Sequence, residues 1–196
     1  GIPDIYAYFS ENGRNYLVME YIEGQDLSEG LTRQDDEGVL KGHPQPVEDV
    51  IRYAIQICDV LDYLERHQPP VTHNDIKPAN IILDKNSKQA VLVDFGTAKT
   101  RYSRQAIGQP GRQQSSVYGT VGYAAAELYD GKAEPRSDVY ALAATVYHLL
   151  TDDDPRSHPF QFPKMDEIPG PVREALAEAL ENDVKARPGA SRFGKR

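Results

Sequence analysis

Eight consecutive residues, His73-Asn74-Asp75-Ile76-Lys77-Pro78-Ala79-Asn80, put a carboxylate, an ammonium and a carboxamide within one short stretch of chain. Fourteen residues after Asn80 comes Asp94, followed by Phe95 and Gly96. Phosphoryl transfer needs a carboxylate near the acceptor hydroxyl and oxygen ligands for Mg²⁺. Asp75 suits the first task, and Asn80 and Asp94 suit the second. Lys77, two residues past Asp75, can meet a transferring phosphoryl group as a point charge. Each residue alone also has a plain structural role. Asp75 could be a turn aspartate, Asn80 a strand-start cap and Asp94 the residue before a Gly turn. Their ordered combination favours the chemistry.

The flanking pattern supplies elements that could position these groups. Ile81-Ile82-Leu83 and Ala90-Val91-Leu92-Val93 read as short apolar strands with Asp84 to Lys88 turning between them. Such a hairpin brings Asn80 and Asp94 to the same end, because each lies just outside the paired strands. Upstream, Ile2 to Phe9 and Tyr16 to Tyr21 read as strands around the Asn12-Gly13 turn, with Gly24 ending the second. Asp26 to Leu31 predicts a short helix, and Thr32 to Gln45 a polar loop. Pro46, Glu48 and Asp49 open a helix carrying Val50, Ala54, Ile57, Leu61 and Leu64 at helical spacing, running to about His67. Thr97 to Tyr118 is long and polar. Ser137-Asp138 predicts the cap of a helix apolar nearly all round, through Leu150. Asp152 to Gly170 is a proline-rich loop, Val172 to Leu180 a last amphipathic helix, and Gly189 to Arg196 a frayed tail.

Composition narrows the class. The 196 residues suit one domain with a real core, 39% being hydrophobic and 27% charged. A net charge of −8 argues against generic nucleic-acid binding. The single cysteine, Cys58, cannot form an internal disulfide and is expected to pack as a small hydrophobe, which fits a reducing, cytoplasmic compartment. The longest apolar candidate for a membrane span, Val139 to Leu150, is too short and contains Tyr140, Thr145, Tyr147 and His148.

Taken in order, the Asp75–Asn80 and Asp94–Gly96 motifs are followed by Gly119-Thr120-Val121-Gly122-Tyr123, Ala125-Ala126-Glu127, Ser137-Asp138-Val139-Tyr140 and Arg187-Pro188. This series resembles the C-terminal lobe of a eukaryotic-like serine/threonine protein kinase, of the type common in bacteria, and covers nearly the whole chain. The resemblance implies a kinase-like α+β fold: a short hairpin left over from the N-lobe sheet and the hinge (1–24), a mostly helical C-lobe (25–190) and a frayed tail (191–196). It implies ATP and Mg²⁺ as cofactors and a protein substrate. Asp75, Lys77 and Asn80 would be catalytic, with Asn80 and Asp94 as metal ligands. Met19 would fall at the gatekeeper, Glu20 and Ile22 would offer backbone groups to adenine, Asp26 would approach the ribose, and Ile82 would floor the adenine site. Thr120 belongs to the substrate-facing end of the activation segment. His73, Glu127, Asp138 and Arg187 would be structural, Glu127 pairing with Arg187 and Asp138 tying down the catalytic-loop backbone. Tyr123 and Tyr140 would be core aromatics.

Three departures qualify the likeness. Asn74 replaces the arginine that commonly grips an activation-loop phosphate, and a carboxamide cannot make that charge-assisted pair, although Thr100, Ser103, Ser115, Ser116 and Thr120 offer hydroxyls. Ala126 replaces a proline. No glycine-rich loop precedes the hinge, and the first lysine is Lys41, after it. The chain alone is therefore expected to hold nucleotide weakly and to transfer little phosphate. Its uncovered hairpin is an edge inviting self-association. The alternatives are a non-catalytic, pseudokinase-like interaction module and a small-molecule kinase. The Gly119–Tyr123 segment, Glu127 and Arg187 argue against the latter.

Overall fold

Two helices carry the core. The computed structural model describes residues 1–34, 40–95, 99–100 and 119–195. Helix α1 (Val47–Glu65) buries Val50, Tyr53, Ile57, Cys58, Leu61 and Leu64, the one-sided spacing the sequence predicts. A second helix, Pro135–Thr151, is buried on every side from Ser137 to Leu149 and packs against α1. Each large aliphatic side chain sealed between them contributes about 1.5–3 kcal/mol. Cys58 is buried in this core, and burial pushes its thiol up to about 12, which leaves it an inert hydrophobe.

Short strands frame the helices. β1 (Ile5–Glu11) and β2 (Arg14–Met19) form an antiparallel hairpin that is a sheet of its own. All of its residues are exposed, among them Ile5, Tyr6, Tyr8, Phe9, Leu17 and Val18. β3 (Gly24–Asp26), β7 (Ile81–Asp84) and β8 (Ala90–Leu92) make a three-stranded antiparallel sheet with β7 in the centre. β4 (Thr32–Gln34) pairs with β5 (Leu40–Gly42), and β6 (Val71–Thr72) with β9 (Lys99–Thr100). No helix among the described residues is long and apolar enough to cross a membrane.

Several expectations need correction. The polar stretch from Thr32 to Gln45 contains the β4–β5 ribbon, closed by the Thr32↔Gly42 register. Asp26 ends a strand, and only Glu29–Leu31 turns, as a single 3-10 turn. The all-round buried helix begins two residues before Ser137. Pro135 stands in its first turn, and Glu134 and Ser137 form a reciprocal capping box, so Asp138 already lies inside the helix. The tail is not frayed throughout. Ala190–Phe193 forms a short helix whose Ala190 and Phe193 are buried against α1, apolar burial overriding the polar composition. Residues 96–98 and 101–118, including Gly96, Ser103, Ser115 and Ser116, lie outside the described residues, as does the side chain of Thr100.

In chain order the helices are α1, α2 (Ala126–Tyr129), α3 (Pro135–Thr151), α4 (Gly170–Ala179) and α5 (Ala190–Phe193).

Candidate active site

The segment from His73 to Asn80 is held by its own backbone. Asp138 on α3 accepts the His73 N–H at 2.7 Å and the Asn74 N–H at 2.8 Å through its two carboxylate oxygens. Complete burial pushes the Asp138 carboxyl up to about 7, against the pull of those two donors. Asn74 sits at φ +68°, a region that Asn tolerates better than most residues. Its side chain is buried and donates toward the Thr72 carbonyl at 3.4 Å. It therefore faces inward rather than toward an incoming phosphate.

His73 ties this segment to the strand leading to Asp94. Its Nε2 lies 3.0 Å from the Val93 carbonyl, and its Nδ1 accepts the Asp75 N–H at 3.3 Å. Only the neutral ring with the proton on Nε2 can make both bonds. Burial lowers its pKa accordingly. The Phe95 ring packs edge-on against it at 4.7 Å.

Asp75 is the focus of the side-chain bonding. Lys77 Nζ donates to Oδ2 at 2.9 Å, Asn80 Nδ2 to Oδ2 at 3.1 Å, and Thr120 Oγ1 to Oδ1 at 2.6 Å. Lys77 also reaches Thr120 Oγ1 at 2.9 Å. Burial alone would raise the Asp75 pKa. The hydrogen bonds from Thr120 and Lys77 and the Lys77 charge outweigh it and hold the carboxyl below its ordinary value. Asp75, Lys77, Asn80 and Thr120 thus form one cluster, although Thr120 is 45 residues from Asp75.

Asn80 ends the Pro78–Asn80 turn, and its Nδ2 also donates to the Asp75 carbonyl at 2.7 Å. Its own carbonyl accepts the Val93 N–H at 2.9 Å, so Asn80 and Asp94 flank the same end of the β7–β8 hairpin. Asp94 is exposed, at φ +63°. These are hard oxygen donors, one carboxamide and one carboxylate, and no group of three or more His, Cys, Asp or Glu among the described residues is placed to hold a metal ion. That set suits Mg²⁺ completed by phosphate oxygens better than a cation caged wholly by protein.

Asp26 and Ile82 are cross-strand partners between β3 and β7. Asp26 Oδ1 caps the following turn, accepting the Ser28 N–H at 2.9 Å and the Glu29 N–H at 3.3 Å. Met19 ends β2, and Glu20 N–H donates to the Asp4 carbonyl at 2.8 Å. Ile22 lies between that point and β3 and is part-buried.

Two glycines let the 119–125 turn lie close to neighbouring backbone. A Cβ at Gly119 would sit 2.6 Å from the Asn74 carbonyl, and one at Gly122 would sit 2.5 Å from the Pro155 carbonyl group. Both have φ near +90°, a conformation open to glycine. Behind this turn, Arg187 grips Glu127 with two bonds, 2.5 and 3.0 Å, and stacks 5.0 Å over the Tyr140 ring. Ser137 Oγ adds a 2.6 Å bond to the same carboxylate. Burial would push Glu127 up, but Arg187 and Ser137 hold it below its ordinary value.

Two participants escaped the sequence reading. Ser137 read as a cap, yet it also serves Glu127. Tyr123 is buried as expected of a core aromatic, but its hydroxyl lies 2.6 Å from His148 Nδ1. A histidine on a helix buried all round was the available signal.

A model of the protein kinase domain family matches residues 1–193. Serine/threonine-protein kinase PknA of Nostoc sp. is 37% identical over 155 residues, which is 79% of this chain and 26% of that protein. Serine/threonine-protein kinase Nek5 of Mus musculus is 33% identical, over 81% of this chain and 23% of its own length. Serine/threonine-protein kinase PknB of Mycobacterium leprae is 31% identical, over 87% of this chain and 26% of its own length. The chain spans about a quarter of the length of these relatives.

Proposed function

The chain belongs to the protein kinase family, and from that premise we propose that it serves ATP- and Mg²⁺-dependent phosphoryl transfer to Ser/Thr hydroxyls of proteins. The observation that carries this reading is the Asp75 carboxylate, kept ionised and oriented by Lys77, Asn80 and Thr120. An ionised carboxylate there can align an acceptor hydroxyl and take its proton. Lys77 Nζ, already 2.9 Å from both Asp75 Oδ2 and Thr120 Oγ1, can turn its third N–H to an oxygen of the group in transit. Thr120 joins the acceptor-facing turn to the same carboxylate. Asn80 and Asp94 would hold Mg²⁺, which when bound would neutralise phosphate charge. Met19, Glu20, Ile22, Asp26 and Ile82 would receive the nucleoside.

Within this chain no lysine precedes Lys41, and the chain spans about a quarter of the length of its relatives. The activity is therefore assigned to the full-length protein, and this chain by itself is expected to bind ATP weakly. The test is phosphate transfer from MgATP to a Ser/Thr peptide by the full-length protein. Asp75→Asn is expected to lower kcat by about 10²–10⁴-fold. Complete inactivity of the wild type under every activating condition would favour the non-catalytic interaction module instead.

The exposed β1–β2 hairpin supports a second reading, self-association of the chain. Its apolar residues point to both faces, as in strands covered on both sides. Sedimentation velocity should show concentration-dependent dimers, and a strictly monomeric profile at high concentration rejects the idea.

A further inference from the structure

Tyr123 and His148 form a buried titratable pair outside the phosphoryl-transfer cluster. They lie 4% and 9% exposed, with the phenol 2.6 Å from Nδ1. Tyr123 belongs to the same turn as Thr120, since the N–H groups of Tyr123 and Ala124 both donate to the Thr120 carbonyl, at 3.1 and 2.9 Å. Thr120 in turn donates to Asp75. His148 sits in the last turns of the rigid α3. A continuous run of contacts therefore links α3 to the Asp75 carboxylate.

We propose that His148 is a positioning residue: its neutral imidazole, acting through the Tyr123 phenol, fixes the Gly119–Ala125 turn and hence Thr120 on Asp75, and acidification uncouples the turn from α3. This rests on the phosphoryl-transfer reading for its consequence in rate. In the neutral ring Nδ1 offers a lone pair to the phenol proton. Protonation removes that lone pair, and the phenol must turn its proton into buried surroundings. The groups that face the ring are Tyr123 from the turn and Asp152, Asp153, Asp154 and Arg156 from the chain just after α3. Two of these three carboxylates already hold other partners. Asp154 takes the Arg156 guanidinium at 2.6 and 2.8 Å, and Asp153 takes His158 at 2.9 Å and the Tyr147 hydroxyl at 2.5 Å. Burial therefore prevails and lowers the His148 pKa.

The experiment has two arms. In this chain, imidazole ¹⁵N and backbone amide NMR are followed from pH 8 to 5, as approximate limits about the ordinary histidine range. His148 should titrate below that ordinary value, with the amides of residues 119–125 moving along the same curve. In H148Q the side-chain oxygen accepts the phenol proton at every pH, so those amides should stay still. Should H148Q fail to fold, Y123F reads the same property. In the full-length protein, wild-type kcat/KM should fall about tenfold per pH unit below the His148 titration. H148Q should lack that limb, and H148A should be impaired throughout. An acid limb unchanged in H148Q, or amides 119–125 indifferent to His148 titration, overturns the proposal. Absence of transfer by the wild type at any pH rejects the phosphoryl-transfer reading instead, and the amide arm still decides the positioning role.

Discussion

Arg187 shows how strongly one side chain can be committed. Its side chain is wholly buried, and besides Glu127 it serves the carbonyls of Glu181 and Asn182 at 2.5 and 3.1 Å. Removing it would strand the Glu127 carboxylate, which is only 12% exposed. Arg187→Met is expected to cost about 3–5 kcal/mol, read from urea denaturation. Arg187→Lys should recover little, because an ammonium cannot reproduce the two-bond fork or the stack on Tyr140. A loss within 1 kcal/mol, as an approximate limit for exposed pairs, would show that the pair is not the anchor its burial implies. Asp138 makes the complementary case, a carboxyl group with no cationic partner among the described residues that satisfies two backbone donors. Asp138→Asn keeps one acceptor and turns an NH₂ group on the other N–H. The expected loss is about 1–3 kcal/mol for the donor left unsatisfied, measured by the same denaturation.

Among the elements, the ones most legible in the sequence were those with a strong local pattern. α1 follows its apolar spacing, and the 81–84 and 90–92 strands pair where their apolar runs predict. The Asp75, Lys77 and Asn80 cluster was legible because its members are close in sequence. Pairings decided by distant contacts were not. The β4–β5 ribbon is held by backbone bonding in a stretch of polar composition, and α5 exists because α1 offers it an apolar seat. Thr120 was placed in the acceptor-facing segment, but its bond to Asp75 depends on how the two glycines let that segment approach. Gly122→Ala would force a Cβ against the Pro155 carbonyl group at a φ of +90°. An overpacking cost of about 1–3 kcal/mol is expected, appearing as a lower urea midpoint with an unchanged slope. Unaltered stability would mean that the turn does not pack on the 155–156 chain as described.

Across the whole molecule, the buried titratable groups pull stability in opposite directions. His73 and His148 have lowered folded pKa values, so below the ordinary histidine value the unfolded chain binds more protons than the folded one. Their stabilising contribution is present above that value and is lost as pH falls through the folded pKa. Asp138 has the opposite sign. Its carboxyl is raised to about 7, so the folded state takes up its proton first, and its contribution grows as pH falls from above 7 toward its unfolded value. Between roughly pH 7 and 6 the single proton bound by folded Asp138 offsets much of the uptake by two unfolded histidines. Unfolding free energy should therefore be nearly flat across that window. Lower still, from the ordinary carboxylate range downward, Asp75, Glu127, Asp153 and Asp154, all with lowered pKa values, lose their stabilising contributions as pH falls through their folded values, and stability should drop steeply. Urea titrations at half-unit pH steps test the balance. In Asp138→Asn the offset is gone, so its unfolding free energy should fall on acidification from pH 7 to 6 while that of the wild type holds. A wild-type curve as steep as that of the variant would mean that Asp138 stays ionised in the folded protein across the window, its two backbone donors outweighing its burial.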